Sequence, residues 1–358
     1  MYSLFADQVE SELFDVLKKT DEANVVLLEQ RVAKHLGRSY AVAFNTPASA
    51  TLAAYHTAKL KKEDEIILSP IAPLGEYNSA AALNISTHYC DIKLDGTLHE
   101  RELEKIITAQ SKAVIVFHYA GISCAMDAII ATARQHDLLL IEDATESLTL
   151  APSNTDLIIY SLQSIMPSIA DKTGFVACDD PDLASALRLF RKEGRIQRAI
   201  WNFDVLTPGY DLTLSPLSAT VALHQLKNLD TIIQARQKIV ALYDERFKGN
   251  TLIDLIRRDN TKPLHFYPIM LSPALYCPKE DIFTALTEQG IDVDVHTKPI
   301  YKTKFFNDPS MRLPVANDFY KSEISLPCHH LLNLDDASYI ADTFLKVIET
   351  YGYRGCSF

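Results

Sequence analysis

The chain of 358 residues has no run of basic residues, and its formal net charge is -11. Binding to nucleic-acid phosphates needs concentrated Lys and Arg, so this charge argues against a nucleic-acid partner. No apolar run approaches the roughly 18 residues that a membrane span needs. The first residues, MYSLFADQVESELFDVL, carry acids within an apolar helical pattern, which predicts an amphipathic helix and not a signal peptide. We therefore expect a cytoplasmic protein without a membrane segment.

Cysteine pairs at metal-binding or redox spacing are also missing. The six cysteines are Cys90, Cys124, Cys178, Cys277, Cys328 and Cys356. No two of them form a CxxC motif, which argues against a disulfide framework and fits a reducing cytosol. In LPCHH, Cys328 precedes His329 and His330, but three consecutive side chains cannot easily converge on one ion. We expect an ordinary loop there and no metal.

Short apolar runs alternate with helical patterns through the first half of the chain. The predicted strands are 40–44, 65–69, 86–90, 113–117, 138–142, 157–161 and 174–178. Helical spacing fills the gaps, as in ASATLAAYHTAKL, LHERELEKIITA and MDAIIATARQHD. This alternation predicts βαβ units and a mainly parallel sheet with helices on both faces, and it places a ligand beyond the carboxyl ends of the strands.

The pattern changes near residue 181. DPDLASALRLFRKEG predicts a helix opened by Asp and Pro, and RAIWNFDVLTPGYDL is a looser, aromatic-bearing stretch. Residues 215–247 predict one long helix, since they are apolar at helical spacing without Gly or internal Pro. Two strands (LHFYPIML and IDVDVH) and helices near 278–289 and 336–350 follow. We expect a large αβα domain over residues 1–230 and a small α+β domain over 231–358. The N-terminal helix could pack on the small domain.

The order of these segments resembles the DegT/DnrJ/EryC1/StrS family of sugar aminotransferases, which depend on pyridoxal phosphate (PLP). The resemblance covers nearly the whole chain and is carried by LLEQRVAKHLGRSYAVAFNTPASATLAAY, AVIVFHYAGISCAMDAIIATARQHDLLLIEDATESL, GYDLTLSPLSATVALHQLKNLD, VHTKPIYKTKFF and FYKSEISLPCHHLLNL. The last two are most similar to the aminotransferase of pseudaminic acid biosynthesis, which acts on a UDP-linked 4-keto-6-deoxy amino sugar. The resemblance implies an α/β, PLP-transferase-like (aspartate aminotransferase-like) fold, a nucleotide-sugar ligand and a homodimer.

Three residues match the family's cofactor contacts. The resemblance places Asp143 where a carboxylate pairs with the pyridine nitrogen and keeps it protonated. Ser161 and Ser49 match serines that hydrogen-bond the phosphate, and Ser49 opens a helix whose N–H groups suit an anion. An alternative for Asp143 is that it caps the next helix.

Other positions depart from the family in ways that weaken cofactor binding. The phosphate turn is Thr46-Pro47-Ala48, in which Pro47 removes an N–H donor and Ala48 a hydroxyl. Pro73 replaces the aromatic residue that stacks on the ring, and Glu146 adds an anion near a dianionic cofactor. Asp211 replaces the Asn that the partner subunit contributes.

Met166 stands at the position of the catalytic lysine, within SIMPSIA. That lysine forms the internal aldimine and shuttles a proton, and a thioether can do neither. Lys172 lies six residues further on and is the nearest candidate for a substitute nucleophile, although a solvated loop lysine is the simpler interpretation. The sequence therefore predicts that PLP, if it binds, is not held as an internal aldimine at residue 166.

Residues for a sugar ligand are expected in HTKPIY. His296, Lys298 and Tyr301 lie where the pseudaminic acid enzyme has a His-Tyr-Lys-Pro segment, with Thr297 in place of the Tyr. A plain connection from strand to loop is the alternative.

Three functional interpretations remain open. The first is a homologue that keeps the fold but has lost transamination. The second is a working enzyme that depends on PLP or on pyridoxamine phosphate (PMP): a transaminase using another base such as Lys172, or a sugar dehydratase. The third is a regulatory or partner subunit that completes or blocks the site of an active paralogue.

Overall fold

The structure is a computed structural model that describes residues 21, 23–150, 153–163, 165, 172–259, 261–273, 275, 278–295 and 298–352. Three sequence predictions fall outside these residues: the N-terminal amphipathic helix, Met166 and His296.

The large sheet has seven strands in the order β1-β7-β6-β5-β4-β2-β3. Its strands are β1 (Tyr40–Phe44), β2 (Glu65–Leu68), β3 (Ser86–Tyr89), β4 (Ser111–Phe117), β5 (Leu139–Ala144), β6 (Leu157–Ser161) and β7 (Gly174–Cys178). Only β7 runs antiparallel to its neighbours β1 and β6, while the other pairs are parallel. The seven predicted strands and the mainly parallel sheet are confirmed.

Helices cover both faces of this sheet. They are α1 (Ala23–Leu36), α2 (Pro47–Thr57), α3 (Leu74–Ala82), α4 (Glu100–Ile106), α5 (Met126–Gln135) and α6 (Pro181–Phe190). Because side chains alternate along a strand, Ile141 and Asp143 of β5 point to the layer that contains α2, while Leu140 and Glu142 point to the opposite layer. The predicted α/β fold is therefore confirmed. Of the two adjacent carboxyls on β5, Asp143 is the one that faces α2.

The predicted start of α6 at Asp and Pro is confirmed, and α2 begins in the same way, two residues before the expected opening at Ser49. Thr46 caps α2 by accepting the N–H of Ser49 at 3.0 Å, and Asp180 caps α6 by accepting the N–H of Asp182 at 2.8 Å. Pro follows each cap, where its missing N–H costs nothing.

The single long helix predicted over 215–247 is wrong. The segment forms two helices, α7 (Pro216–Leu226) and α8 (Leu229–Phe247). The break falls at Lys227 and Asn228, and Asn228 has φ -100° and ψ 9°. Asn favours helix ends because its side chain competes with the backbone for hydrogen bonds. A break without Gly or Pro leaves no strong signal in the sequence.

The aromatic stretch after α6 forms a hairpin of β8 (Arg195–Ala199) and β9 (Asn202–Val205). Ile200 and Trp201 at its turn are 94% and 87% exposed. Phe203 and Val205 are also exposed, so the hairpin presents apolar surface to solvent.

The C-terminal part has an antiparallel sheet of β10 (Ile253–Leu255), β11 (Tyr267–Leu271) and β12 (Glu323–Leu326). Its helices are α9 (Lys279–Glu288), α10 (Pro314–Ser322) and α11 (Leu334–Gly352). The strand predicted in LHFYPIML and both helices are confirmed. In IDVDVH the described residues form only an isolated bridge between Asp294 and Ser325.

The C-terminal part contacts the large sheet directly. The N–H of Ile300 donates to the carbonyl of Pro70 at 2.9 Å. The carboxylate of Asp91 accepts the N–H groups of Val315 and Ala316, at the positive end of α10. The predicted boundary after residue 230 falls inside α8 and stays a prediction.

Over the described residues, no helix is long and apolar enough to cross a membrane.

Candidate functional site

Asp143 lies at the carboxyl end of β5 and is 1% exposed. Its Oδ1 accepts the N–H of Thr145 at 2.9 Å and the hydroxyl of Thr145 at 2.7 Å. Both contacts lie within a local turn, and residues 145–150 form no helix, so Asp143 does not cap a following helix. Burial raises the pKa of Asp143, although the hydrogen bonds from Thr145 partly oppose that shift.

Glu76, in the first turn of α3, is the neighbour of Asp143 that the sequence analysis missed. It is 1% exposed, and it interacts electrostatically with Asp143. The hydroxyl of Tyr55 donates to Oε2 of Glu76, and Thr51 Oγ1 lies 3.5 Å from Oε1. Burial, and next the charge of Asp143, raise the pKa of Glu76 well above its usual range. The only signal in the sequence is a Glu among small and apolar residues; its partner belongs to a distant strand.

The predicted phosphate turn forms the N-terminus of α2. Thr46 Oγ1 accepts the N–H of Ser49 at 3.0 Å and lies 2.8 Å from Ser49 Oγ. The carbonyl of Thr46 accepts the N–H of Ala50 at 3.1 Å, and Pro47 has no N–H. Of residues 47–50, Ser49 and Ala50 donate their N–H groups to Thr46 and Pro47 has none, so only the N–H of Ala48 is left. The turn therefore satisfies itself and offers an anion few donors.

Backbone contacts bring the predicted cofactor positions together. Ser161 pairs with Gly174 across β6 and β7. A Cβ added to Gly174 would lie 2.2 Å from the carbonyl oxygen of Thr46. A Cβ added to Gly75 would lie 3.1 Å from Cα of Ala48, and the next residue is Glu76. The turn, β6, β7 and the start of α3 thus meet at one edge of the sheet, and Pro73 is the residue that precedes α3.

Two further predicted positions lie at the rim of this edge. Lys172 is exposed and stands two residues before Gly174. Asp211 is exposed as well and accepts the hydroxyl of Thr213 at 2.7 Å. The neighbouring carbonyl of Leu212 accepts the N–H of Asn45 at 3.0 Å, beside the phosphate turn. Ser161, in contrast, is buried, and its Oγ accepts the N–H of Gln163 at 3.0 Å.

Glu146 is half-buried, and its Oε2 accepts the N–H of Ala120 at 2.7 Å. Burial raises the pKa of Glu146 to about 8. A raised pKa reduces the negative charge that the sequence leads us to expect here, and the effect of Glu146 on cofactor binding stays a prediction. Burial also raises the pKa of Glu323, on β12, to about 7.

The other carboxyl of β5, Glu142, belongs to a separate hydrogen-bond network on the opposite face. Its Oε1 lies 2.8 Å from Nε2 of His118. Nδ1 of His118 accepts the N–H of Cys124 at 3.1 Å. The ring proton is therefore on Nε2, which donates a hydrogen bond to Glu142. Glu142 and Asp143 are adjacent in sequence but do not share a site.

The predicted sugar contacts are only partly brought to this edge. Tyr301 is buried, and its hydroxyl donates to Oδ1 of Asn317 at 2.9 Å. The hydroxyl thus has a partner inside the fold, and the substrate contact of Tyr301 stays a prediction. Lys298 is exposed. The next segment joins the large sheet at Pro70, three residues before Pro73.

Within the described part of the chain, no three His, Cys, Asp or Glu side chains are grouped so that they could hold a metal ion. Cys328 is buried, and its carbonyl accepts a hydrogen bond from Arg236.

Comparisons with known proteins give a consistent result. Residues 10–345 match the DegT/DnrJ/EryC1/StrS aminotransferase family. A UDP-4-amino-4,6-dideoxy-N-acetyl-beta-L-altrosamine transaminase from Campylobacter jejuni is 33% identical over 94% of this chain and 92% of its own length. The Bacillus subtilis spore coat polysaccharide biosynthesis protein SpsC is 27% identical over 90% of this chain and 88% of its own length.

Solved structures agree with the fold. Helicobacter pylori PseC, an aminotransferase involved in the biosynthesis of pseudoaminic acid, superposes with a TM-score of 0.87 at 28% identity, covering 96% of each chain. A putative sugar aminotransferase from Streptococcus pneumoniae, in its PMP form, gives a TM-score of 0.88 at 21% identity and covers 95% of this chain and 96% of its own.

Proposed function

Because the chain belongs to the DegT/DnrJ/EryC1/StrS aminotransferase family, we propose that it is a non-transaminating homologue of the family's nucleotide-sugar enzymes. Its relatives include sugar aminotransferases and a polysaccharide biosynthesis protein. The proposed ligand is a UDP-linked amino sugar, the class named for the Campylobacter relative. A cytoplasmic location is part of the same proposal.

The observation that carries this proposal is Met166 in the sequence, at the position where the resemblance expects the Schiff-base lysine. A thioether has no amine to condense with an aldehyde and no proton to transfer at neutral pH. Lys172 is exposed in the structure, so water competes for its ammonium group.

Two described features support the view that the site does not fit PLP. The phosphate turn uses its own N–H groups and hydroxyls in the cap of α2, where an anion would need them. At the other end, burial raises the pKa of Asp143 and so disfavours the carboxylate that the ring nitrogen of the cofactor would need. No reaction step through PLP is therefore assigned to this chain.

The direct test is to incubate the purified protein with PLP, reduce it with borohydride, and measure its intact mass and peptide map. We expect no specific adduct, while the Helicobacter pylori enzyme treated in parallel serves as the positive control. A stoichiometric adduct that maps to Lys172 and disappears in Lys172→Ala would overturn the proposal, since the nucleophile would then have moved.

Ligand binding has its own test. UDP and a UDP-linked N-acetylated amino sugar are titrated against the protein by calorimetry. Tighter binding of the sugar nucleotide than of UDP supports the proposed ligand class. Binding of neither contradicts that class and leaves the partner-subunit interpretation as the better one.

The proposal includes a homodimer. The observation that favours it is the apolar hairpin of β8 and β9, because a large exposed aromatic residue such as Trp201 is typical of a surface that is covered by another chain.

A further inference from the structure

A large cleft lies between the turn that follows β3 and the small sheet of the C-terminal part. Its volume is about 1240 Å³, and it is lined by residues 92–95 of the turn, by β10 and β11, and by α10. None of the described residues of the candidate site lines it. Junctions between two parts of a fold are common places for a small ligand. The cleft is therefore separate from the site at the edge of the large sheet.

Much of the lining is apolar. Leu255 of β10 and Met270 of β11 are half-buried, and Leu94 in the turn is 77% exposed. The apolar lining residues are Ile92, Leu94, Leu255, Ile256, Met270 and Val315. Apolar surface that is grouped and open to solvent is typical of an interaction site. The cleft thus suits the apolar body of a ligand.

Lys279, the first residue of α9, brings a positive charge to this lining. Its Nζ donates to the carbonyls of Tyr320 and Glu323, the latter at 3.0 Å, at the C-terminal end of α10. The carboxyl of Glu323 is used elsewhere, because it accepts the hydroxyl of Ser325 at 2.6 Å. Within the described part of the chain, Lys279 forms no ion pair. An ammonium group has three N–H donors, so one is left for a ligand.

Arg257 is a second cation of the lining without a carboxylate. It is exposed, two residues after β10, and no described residue accepts a hydrogen bond from it or pairs with its charge. The two remaining lysines of the cleft do have partners. Lys93 Nζ lies 3.4 Å from Oε2 of Glu100, and Lys321 Nζ lies 3.1 Å from Oδ1 of Asp318.

One lining carboxylate opposes these cations. Asp254 of β10 is exposed and has no cation partner among the described residues. Asp95, in contrast, lies 3.9 Å from Nζ of Lys93. Lys279 and Arg257 are thus two unpaired cations against one unpaired carboxylate, on a chain whose net charge is -11. The charge of the cleft therefore favours an anion.

We propose that this cleft is a second binding site, for a small organic anion that carries an apolar body. The apolar lining takes the body of the ligand. Lys279 supplies its third N–H to the sulfonate, carboxylate or phosphate group, and Arg257 adds its guanidinium. The site needs neither a cofactor nor a nucleotide sugar, so it is independent of the proposed function.

The probe is 8-anilinonaphthalene-1-sulfonate (ANS), which joins an apolar ring system to a sulfonate and fluoresces when it leaves water. It is titrated against the full-length protein beside N-phenyl-1-naphthylamine, which has the same rings and no sulfonate. We expect saturable binding of ANS, tighter than that of the neutral probe by about tenfold, the size of effect that a hydrogen bond to a charged group has. Salt at about 0.5 M should weaken the binding of ANS, because it screens exposed charges. Inorganic phosphate alone should compete only weakly, since it has no apolar body.

Two exposed substitutions change the charge of the cleft in opposite directions. Arg257→Gln should weaken the binding of ANS by about threefold, and Asp254→Asn should strengthen it by a similar factor, as expected for exposed charges. Arg31→Gln on α1 is the matched control, because it removes an exposed arginine elsewhere and should change nothing. Trp201→Ser tests for ANS held on the apolar hairpin and should also leave the affinity unchanged.

A protein that does not bind ANS, or that binds both probes equally, overturns the proposal. Equal affinities of Arg257→Gln, Asp254→Asn and the wild type also overturn it, and so does loss of binding in Trp201→Ser. Displacement of ANS by inorganic phosphate as readily as by unlabelled naphthalene-1-sulfonate would contradict the apolar part of the site. Circular dichroism confirms that the variants are folded.

Discussion

Gly174 lies against Thr46 so closely that a Cβ on Gly174 would be 2.2 Å from the carbonyl oxygen of Thr46 and 2.8 Å from Cα of Pro47. The first residue of β7 therefore sets the position of the turn that opens α2. Both partners are backbone, so neither can rotate out of the way.

Gly174→Ala should destabilise the fold by about 1–3 kcal/mol or more, because an overpacked backbone contact must push β7 and the turn apart. Urea unfolding measures this. Gly249→Ala is the matched control: no atom lies within 4 Å of its added Cβ, and its φ of +77° leaves only a backbone cost of about 1 kcal/mol. Equal losses in the two variants would contradict the close contact at Gly174.

Glu146 should make stability depend on pH. Its folded pKa of about 8 lies above the unfolded value of about 4.3, so the folded chain holds a proton that the unfolded chain releases. Stability therefore falls as pH rises from about 5 to about 8, and the loss is complete above the folded pKa. Glu146→Gln cannot ionise and should flatten this fall by more than about 1 kcal/mol.

The measurement for Glu146 is urea unfolding at about pH 5.5 and about pH 8. Glu245→Gln, an exposed substitution on α8, is the control and should keep the wild-type slope. A Glu146→Gln protein with the wild-type slope would show that Glu146 is not buried in its neutral form.

The hairpin of β8 and β9 should be part of a subunit contact. Trp201→Glu places a charge on a surface that the proposed dimer would bury, and burying an unpaired charge is costly. We expect sedimentation velocity to show a dimer for the wild type and at least about tenfold weaker association for the variant. Leu94→Glu is the control, since Leu94 is 77% exposed elsewhere on the surface. A wild-type monomer, or equal dimers in both variants, would exclude the hairpin as the contact.

Glu29 and Arg191 form a buried ion pair beside β1. Arg191 Nη1 lies 2.6 Å from Glu29 Oε1, which also accepts the N–H of Ala43 at 2.9 Å. Glu29→Ala leaves a buried guanidinium without its carboxylate and should cost about 3–5 kcal/mol of the free energy of unfolding.

The control for this prediction is the exposed pair of Lys321 and Asp318, where Lys321→Ala should cost less than about 1 kcal/mol. Chemical denaturation of both variants gives the comparison. Losses of similar size would mean that burial does not distinguish the two pairs.

The regular parts of the fold could be predicted because they depend on local sequence. Strands such as β5 and β6 are short apolar runs bounded by polar residues. The start of α6 is marked in the sequence by Asp180 as N-cap and Pro181 as the first helical residue. The break at Asn228 could not be predicted in this way, since a helix end without Gly or Pro depends on how α7 and α8 pack.

The site was predictable only where one side chain acts alone. Asp143 could be placed at the site from its position at the end of a strand. Glu76 could not, because its interaction with Asp143 depends on tertiary packing. The surroundings of Tyr301 could not be predicted either, because its hydroxyl donates to Asn317, a partner that the motif HTKPIY does not contain. Likewise, the raised pKa of Glu146 follows from its surroundings in the fold, which the residue type does not reveal.

The carboxyl pair of Glu76 and Asp143 also limits how this chain can change over generations. Replacing Asp143 by an apolar residue would leave the carboxyl of Glu76 buried without this polar neighbour, and replacing Glu76 alone would do the same to Asp143. Single-step drift at either codon is therefore penalised while the other stays. In any homologue that carries a carboxyl at position 76, position 143 should retain an acceptor, so the two positions should vary together.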